Sequence, residues 1–231
     1  MISYPTKMKV IVFDTETTGL PVDYNAILTD SAKWPHVIQL SYIVYDTDTK
    51  EILDFTDRIV KLDPAVIISP ESIAVHKITA ERSQEEGKPI GTVLAEFMEA
   101  LKDVDLVVGH NVSFDKRMLR VECYRNGIHG EPFVNARKNL LPDYCTMREN
   151  TARCQLPTQN KKTGQTYFKW PKLSELHTHL FGTPPRGTHN AIADVMICLR
   201  CFVSVKYDYD IASENSVVLV PFQCLYANYC N

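Results

Sequence analysis

What this sequence lacks narrows it first. No stretch of its 231 residues approaches the ~18 apolar residues that a membrane-spanning helix needs, and the opening MISYPTKMKV has none of the apolar core of a secretory leader. A disulfide framework is missing as well. The seven cysteines (Cys123, Cys145, Cys154, Cys198, Cys201, Cys224, Cys230) are odd in number and scattered, which predicts reduced, mostly buried thiols. There is no large excess of charge. A formal net charge of -3 gives no global attraction to a polyanion, so a nucleic-acid partner requires a local basic patch or bound cations. No internal repeat or low-complexity tract occurs. These absences predict a soluble intracellular protein, cytoplasmic or nuclear, with no membrane partner. The length and the apolar fraction of 45% suit one compact domain, with or without an appendage.

What is present has the rhythm of strands followed by helices. Residues 8–13 form a short apolar run rich in Val and Ile, the pattern of a strand buried on both faces. HVIQLSYIVY (36–45) and EILDFTDRIV (51–60) flank the turn-forming DTDTK and predict an antiparallel hairpin. Residues 22–35 lack periodicity and read as a loop, and SPESIAVHKIT as a short helix with Pro70 near its start. Between 89 and 104, Val93, Leu94, Phe97, Met98 and Leu101 keep the spacing of one helix face. Residues 106–108 read as a fourth buried strand ending at Gly109, followed by a helix capped by Ser113 that runs to Asn126, with Gly127 as its stop. DYCTM reads as a last strand, and the polar stretch 153–169 as a mobile loop. Residues 173–180 and 190–206 read as helices, the second burying Ile192, Val195, Met196, Leu199, Phe202 and Val203. The tail from Asp208 is hydrophobic without a motif, and an extra strand, a completed core and a contact surface all fit it. Three strands followed by alternating helices and strands predict an α/β domain, a mixed sheet flanked by helices on both faces.

Acidic residues interrupt this apolar pattern at three places. In FDTETTGLP (13–21) a strand side-chain period of two puts Asp14 and Glu16 on one side and Thr15 on the other. Two carboxylates so close repel unless a cation lies between them, and oxygen-only ligands favour Mg²⁺ or Mn²⁺; solvated acids before a turn are the plainer alternative. GHNVSFD (109–115) sets Asp115 in the first turn of a helix, either as a dipole partner or at the same end of the sheet as the first pair, where open α/β sheets gather ligands. In HNAIAD (189–194), Asp194 falls on the second turn of a helix beside Ile192 and Val195. A carboxylate there is costly unless paired or metal-bound, although a cap or ion pair also fits.

Taken together, DTETTG, HNVSFD and HNAIAD resemble, in order and spacing, the three exonuclease motifs of the DEDDh (DnaQ-like) family, which includes the proofreading subunit of bacterial DNA polymerase III. The resemblance implies a ribonuclease H-like fold and an exonuclease domain over residues 1–206, with 207–231 as a C-terminal extension. It implies that Asp14, Glu16, Asp115 and Asp194 bind two Mg²⁺ ions, with Mn²⁺ able to substitute, and that His189 is the general base. Thr17, Leu20, His76 and Asn111 resemble substrate-contacting positions. The activity implied is a 3′-to-5′ exonuclease that releases nucleoside 5′-monophosphates from 3′ ends of single-stranded or frayed DNA or RNA, with DNA favoured. The alternatives are an RNA-trimming, oligoribonuclease-like enzyme and a non-catalytic nucleic-acid-binding module of the same fold. The hydrophobic tail could dock a polymerase or a second copy of the chain.

Other signals compete for attention. NKKTGQTYFKWPK (160–172) interleaves Lys161, Lys162, Lys169 and Lys172 with Tyr167, Phe168 and Trp170. Such mixing suits a phosphate backbone with stacked bases; a solvated loop whose aromatics pin it to the core fits as well. Cys145, Cys154, His177 and His179, or the C-x-x-C of Cys198 and Cys201, lack the flanking spacing of zinc modules.

Overall fold

The computed structural model describes residues 7–186 and 188–230. Strands β1 (Lys9–Thr17), β2 (Val37–Asp46) and β3 (Glu51–Ile59) pair antiparallel, and β1 then pairs in parallel with β4 (Leu106–Gly109), which pairs with β5 (Asp143–Cys145). The five-stranded order is β3-β2-β1-β4-β5. The predicted mixed sheet is therefore present, with β1 at its centre.

Alternation along β1 divides the core in two. Ile11 and Phe13 face a layer built by α3 (Ile90–Ala100) and α4 (Val112–Arg125), where the Phe13 ring lies 5.1 Å from that of Phe97 and 5.8 Å from that of Phe133. Val10 and Val12 face the opposite layer, dominated by α8 (Ala191–Tyr207), together with Ile43, Tyr45, Leu106 and Val108. The same period carries on past the apolar run, so Asp14 and Glu16 come out on the α8 side and Thr15 on the α4 side. Two short helices, α1 (Pro70–His76) and α2 (Ala80–Glu86), link β3 to α3, each capped by a hydroxyl: Ser69 accepts from the Ser72 amide and Thr79 from that of Arg82.

Several expectations are corrected. The helix of the second motif starts one residue before Ser113, and its cap position is Asn111, in left-handed backbone (φ 65°), which turns the chain sharply from β4 into α4. Gly109 allows the close approach that this turn needs: a Cβ there would lie 3.1 Å from the Val112 side chain and 3.3 Å from the Phe13 carbonyl. Met98 is only half-buried. Beyond β5, the chain forms α5 (Thr146–Glu149) and α6 (Thr151–Cys154). Residues 153–169 are not a structureless loop, because β6 (Pro157–Gln159) and β7 (Thr166–Phe168) pair as a hairpin. Its turn is built from the Asn160 side chain, which accepts the amides of Lys162 and Thr163, and from Gly164 at φ 70°. After α7 (Leu173–Phe181) and α8, the tail is a helix, α9 (Val220–Cys230), and not a strand. Phe222, Tyr226 and Cys230 recur every fourth residue and are buried in the α8 layer. Among the described residues no helix is long and apolar enough to cross a membrane.

Polar contacts fasten the tail to the body. Arg200 on α8 makes two hydrogen bonds to Asp210, at 2.8 and 2.7 Å, donates to the Tyr226 hydroxyl at 3.0 Å, and lies over the Phe181 ring. That hydroxyl also lies 2.8 Å from His177 Nε2, and the Arg186 amide donates to the Cys230 carbonyl. The segment between α7 and α8 is thereby tied to α9. Arg200→Met removes the partner of a half-buried carboxylate. It should cost about 2 kcal/mol, or roughly 4–8 °C in Tm for a chain of this size, read by thermal denaturation. An unchanged Tm would show that the network contributes nothing net.

Candidate active site

The three acidic motifs converge at the carboxyl end of β1. Among the described residues, one group of His, Cys, Asp and Glu side chains brings three metal-ligating atoms within 4.8 Å of one another, and it is Asp14, Glu16 and Asp194, each half-buried. β1 supplies the first two by its two-residue period. The first turn of α8, not the second as the sequence suggests, supplies the third, because the helix begins at Ala191 and lies across the face on which Asp14 and Glu16 emerge.

Asp115 stands outside this trio and is 3% exposed. Its Oδ1 accepts from the Thr15 hydroxyl at 2.7 Å and from the Thr15 amide at 3.2 Å. The threonine between the two acids of β1 thus holds Asp115 from the opposite face. Thr15 was missed as a site residue at the level of sequence, although its alternation toward α4 was the available signal. Asp194 accepts the His189 amide at 3.0 Å, and Asn190 caps α8 by accepting the Ile192 amide. Asp194 therefore braces the turn that precedes α8 and is a member of the trio as well.

Electrostatics make the cluster unfavourable on its own. Burial is the largest cause that holds Asp14 well above the usual carboxylate range, followed by Asp115, Asp194 and Glu16. Burial and the charges of Asp194 and Asp115 push Glu16 up to about 8. Asp115 and Asp194 rise to about 7, again chiefly by burial, against the hydrogen bonds from Thr15 and His189. Every cause acting on Asp14 and Glu16 has the same sign, which is the environment a divalent cation would relieve. The all-oxygen donor set suits a hard cation.

His189 is exposed, in left-handed backbone (φ 71°), and its ring makes no hydrogen bond among the described residues. Thr17, Leu20 and His76 meet beside Glu16, lining a cleft of about 700 Å³ with Ser69, Ser72, Val75 and Phe114. Leu20 (74% exposed) and Val75 (45%) give it apolar lips. His76 is buried; its Nδ1 accepts the Ile78 amide, and its Nε2 has no well-formed hydrogen bond. Burial pulls its pKa down against a smaller upward pull from the Thr17 backbone. Asn111 is not part of this cleft lining; it is the exposed cap of α4. Of the cleft residues, Phe114 lay within the second motif and Ser69 within a recognised helix start, yet neither was singled out.

Comparison with known proteins places this geometry. A family model described as Exonuclease (RNase_T) matches residues 11–202, and the chain belongs to that DnaQ-like exonuclease family. The PolC-type DNA polymerase III of Pediococcus pentosaceus is 30% identical over 188 residues, covering 80% of this chain and 10% of the relative. That of Streptococcus sanguinis is 30% identical over 139 residues, 58% of this chain and 8% of the relative. Among solved structures, E. coli exonuclease I in complex with a dA16 oligonucleotide superposes with a TM-score of 0.60 at 18% identity, covering 85% of this chain and 41% of that one. The zinc-bound form of the E. coli exonuclease I complex with single-stranded DNA gives 0.59 at 18%, covering 87% and 41%. The chain thus spans a tenth or less of these polymerases and about two fifths of these exonucleases. The structural likeness shows a ribonuclease H-like fold.

Raised carboxyl pKa values fix the sign of the pH dependence. The folded, metal-free protein binds protons that the unfolded chain, with carboxyls near 4, has released. Metal-free stability should therefore fall as pH rises from about 4 to about 8. Asp14→Asn should raise the metal-free Tm at pH 8, and the Tm gain on adding Mg²⁺ or Mn²⁺ to the unaltered protein should be larger at pH 8 than at pH 5.5. Differential scanning fluorimetry reads all three; a metal effect independent of pH would remove the cluster as the cation site.

Proposed function

We propose that this protein is a metal-dependent 3′-to-5′ exonuclease that removes nucleoside 5′-monophosphates from single-stranded or frayed 3′ ends, DNA in preference to RNA. The observation that carries the reading is the placement of the Asp14, Glu16 and Asp194 carboxylates within 4.8 Å of one another, beside a nucleotide-sized cleft with apolar lips. In this reading those three side chains and Asp115 hold two Mg²⁺ ions, for which Mn²⁺ substitutes. When bound, the cations supply electrostatic stabilisation of the attacking and leaving oxygens of the phosphodiester.

The remaining work falls to the chain's own groups. Thr15 fixes the Asp115 carboxylate so that it does not swing away from β1. A terminal base lies against Leu20 and Val75, and Thr17 and His76 flank its sugar. His189, carried on an exposed turn, takes the proton from the attacking water on a ring nitrogen as oxygen adds to phosphorus and the bond to the 3′ oxygen breaks, and that oxygen takes a proton from solvent to leave as a hydroxyl. A single-stranded end suits a cleft of this volume because an unstacked nucleotide fits within it. The match to a segment of PolC-type polymerases supports work beside a polymerase.

The test uses 5′-labelled single-stranded DNA and RNA of equal length, with Mg²⁺, Mn²⁺ or chelator. A ladder that shortens from the 3′ end, absent with chelator and in Asp14→Ala, is expected, with DNA degraded faster. Early release of the labelled terminal nucleotide would overturn the direction, and faster RNA loss would overturn the sugar preference. His189→Ala should lower kcat by about 10²- to 10⁴-fold while leaving the metal-induced Tm shift in place. Tight binding without cleavage by the unaltered protein would favour a non-catalytic module.

A further inference from the structure

The β6–β7 hairpin does not behave as a solvated loop held by its aromatics. Tyr167, Phe168 and Trp170 are 53%, 50% and 62% exposed, so three large rings are displayed to solvent. Residues 157–172 carry four lysines and no acid, in a chain of net charge -3. Lys169 is held by Glu175 at 2.5 and 2.7 Å, while Lys161 and Lys162, on the exposed turn, form no ion pair among the described residues. The Lys169 amide donates to the Leu156 carbonyl and extends the ladder past Phe168. Phe168 and Trp170 therefore share one face, about 6.5 Å apart along the strand.

The hairpin is anchored to the site. Pro171, next to Trp170, accepts a hydrogen bond from His110 Nε2 at 3.1 Å, and His110 Nδ1 lies 2.9 Å from the Thr146 hydroxyl. His110 follows the last residue of β4, at the same end of the sheet as Asp14, and Thr146 contacts Cys198 on α8, four residues beyond Asp194. We propose that this hairpin is a second nucleic-acid contact, which grips the single strand upstream of its 3′ terminus by stacking bases on Phe168 and Trp170 while Lys161 and Lys162 meet its phosphates. This deepens the exonuclease reading and rests on it for the choice of ligand. Rings exposed to water stack on unpaired bases of any sequence, and the lysines supply the charge that the chain as a whole lacks. A duplex, whose bases are already stacked, fits the rings poorly.

The test reads binding, not turnover. Asp14→Asn protein in Mg²⁺ is titrated with dT15, rU15 and a 15-base-pair duplex while tryptophan emission is recorded. Trp34 is 4% exposed, so a stacking quench reports Trp170. Both single strands should quench, and the duplex should not. In the same background, with 5′-fluorescein-dT15 followed by anisotropy, Trp170→Ala and Phe168→Ala should each weaken binding by about 5- to 100-fold. The Lys161→Ala, Lys162→Ala pair should reduce the slope of log affinity against log salt by about 1.4, or 0.7 per phosphate contact. Unquenched binding of dT15 with these affinities and slopes unchanged, in variants of native circular dichroism, would overturn the proposal. Equal quenching by the duplex would overturn it too. Cleavage of the strand by the Asp14→Asn protein would count against the site assignment alone, because the quench reports binding before any cut.

Discussion

Carboxyl groups that raise one another's pKa stay together only where packing denies them the room to separate, and that constraint governs the construction of this protein. Asp14 and Glu16 are fixed by the central strand of the sheet, whose preceding residues Val10 to Phe13 are at most 1% exposed. Asp194 is fixed by a helix whose next residues, Val195 to Ile197, are fully buried. Neither backbone can yield without opening a core layer, so the repulsion appears as proton affinity instead of movement. A cation then converts that stored repulsion into binding free energy.

Both faces of β1 serve this purpose at once. The even residues run Val10, Val12, Asp14, Glu16 toward α8, and the odd residues run Ile11, Phe13, Thr15 toward α4. Thr15 is the point at which the second face reaches the site, because its hydroxyl and amide hold Asp115 from α4. The close approach of Gly109 to Phe13 and the left-handed Asn111 bring α4 near enough for that bond. A site assembled from one strand and two helices is thus set mainly by that strand's alternation and one sharp turn.

Much of this was legible in the sequence, and the reasons are local. Alternation and helical spacing are short-range, so β1, the β2–β3 hairpin, α3 and α8 follow from runs such as VIVFDTE and Ile192–Val195–Met196–Leu199. The motif acids were legible because carboxylates amid apolar residues need an explanation. What escaped depended on contacts distant in sequence. Thr15 matters only through Asp115, one hundred positions away, and the cleft gathers Leu20, Ser69 and Phe114 from three segments. The tail misled through β-branched residues at 217, 218 and 220, although Pro221 argues against a central strand and Phe222, Tyr226 and Cys230 keep a helical spacing. The hairpin was obscured by its polarity, yet Asn160 and Gly164 are the residues its turn requires.

Charge sets the last relation among these parts. An acidic cluster repels the phosphate it must hold, and the net charge of the chain adds no compensating attraction. Cations at the cluster reverse the sign locally, but their field is screened within about 8–10 Å at physiological salt. A strand several nucleotides long extends beyond that range, so its upstream phosphates need positive charge elsewhere on the protein. The lysine-bearing hairpin is tethered through Pro171 and His110 to the end of β4, where burial holds the imidazole pKa down to about 4 and so keeps the ring neutral. A neutral tether adds no charge between hairpin and cluster. On the proposed reading the two sources of attraction remain separate, one metal-dependent at the scissile end and one permanent along the strand, joined by a neutral link.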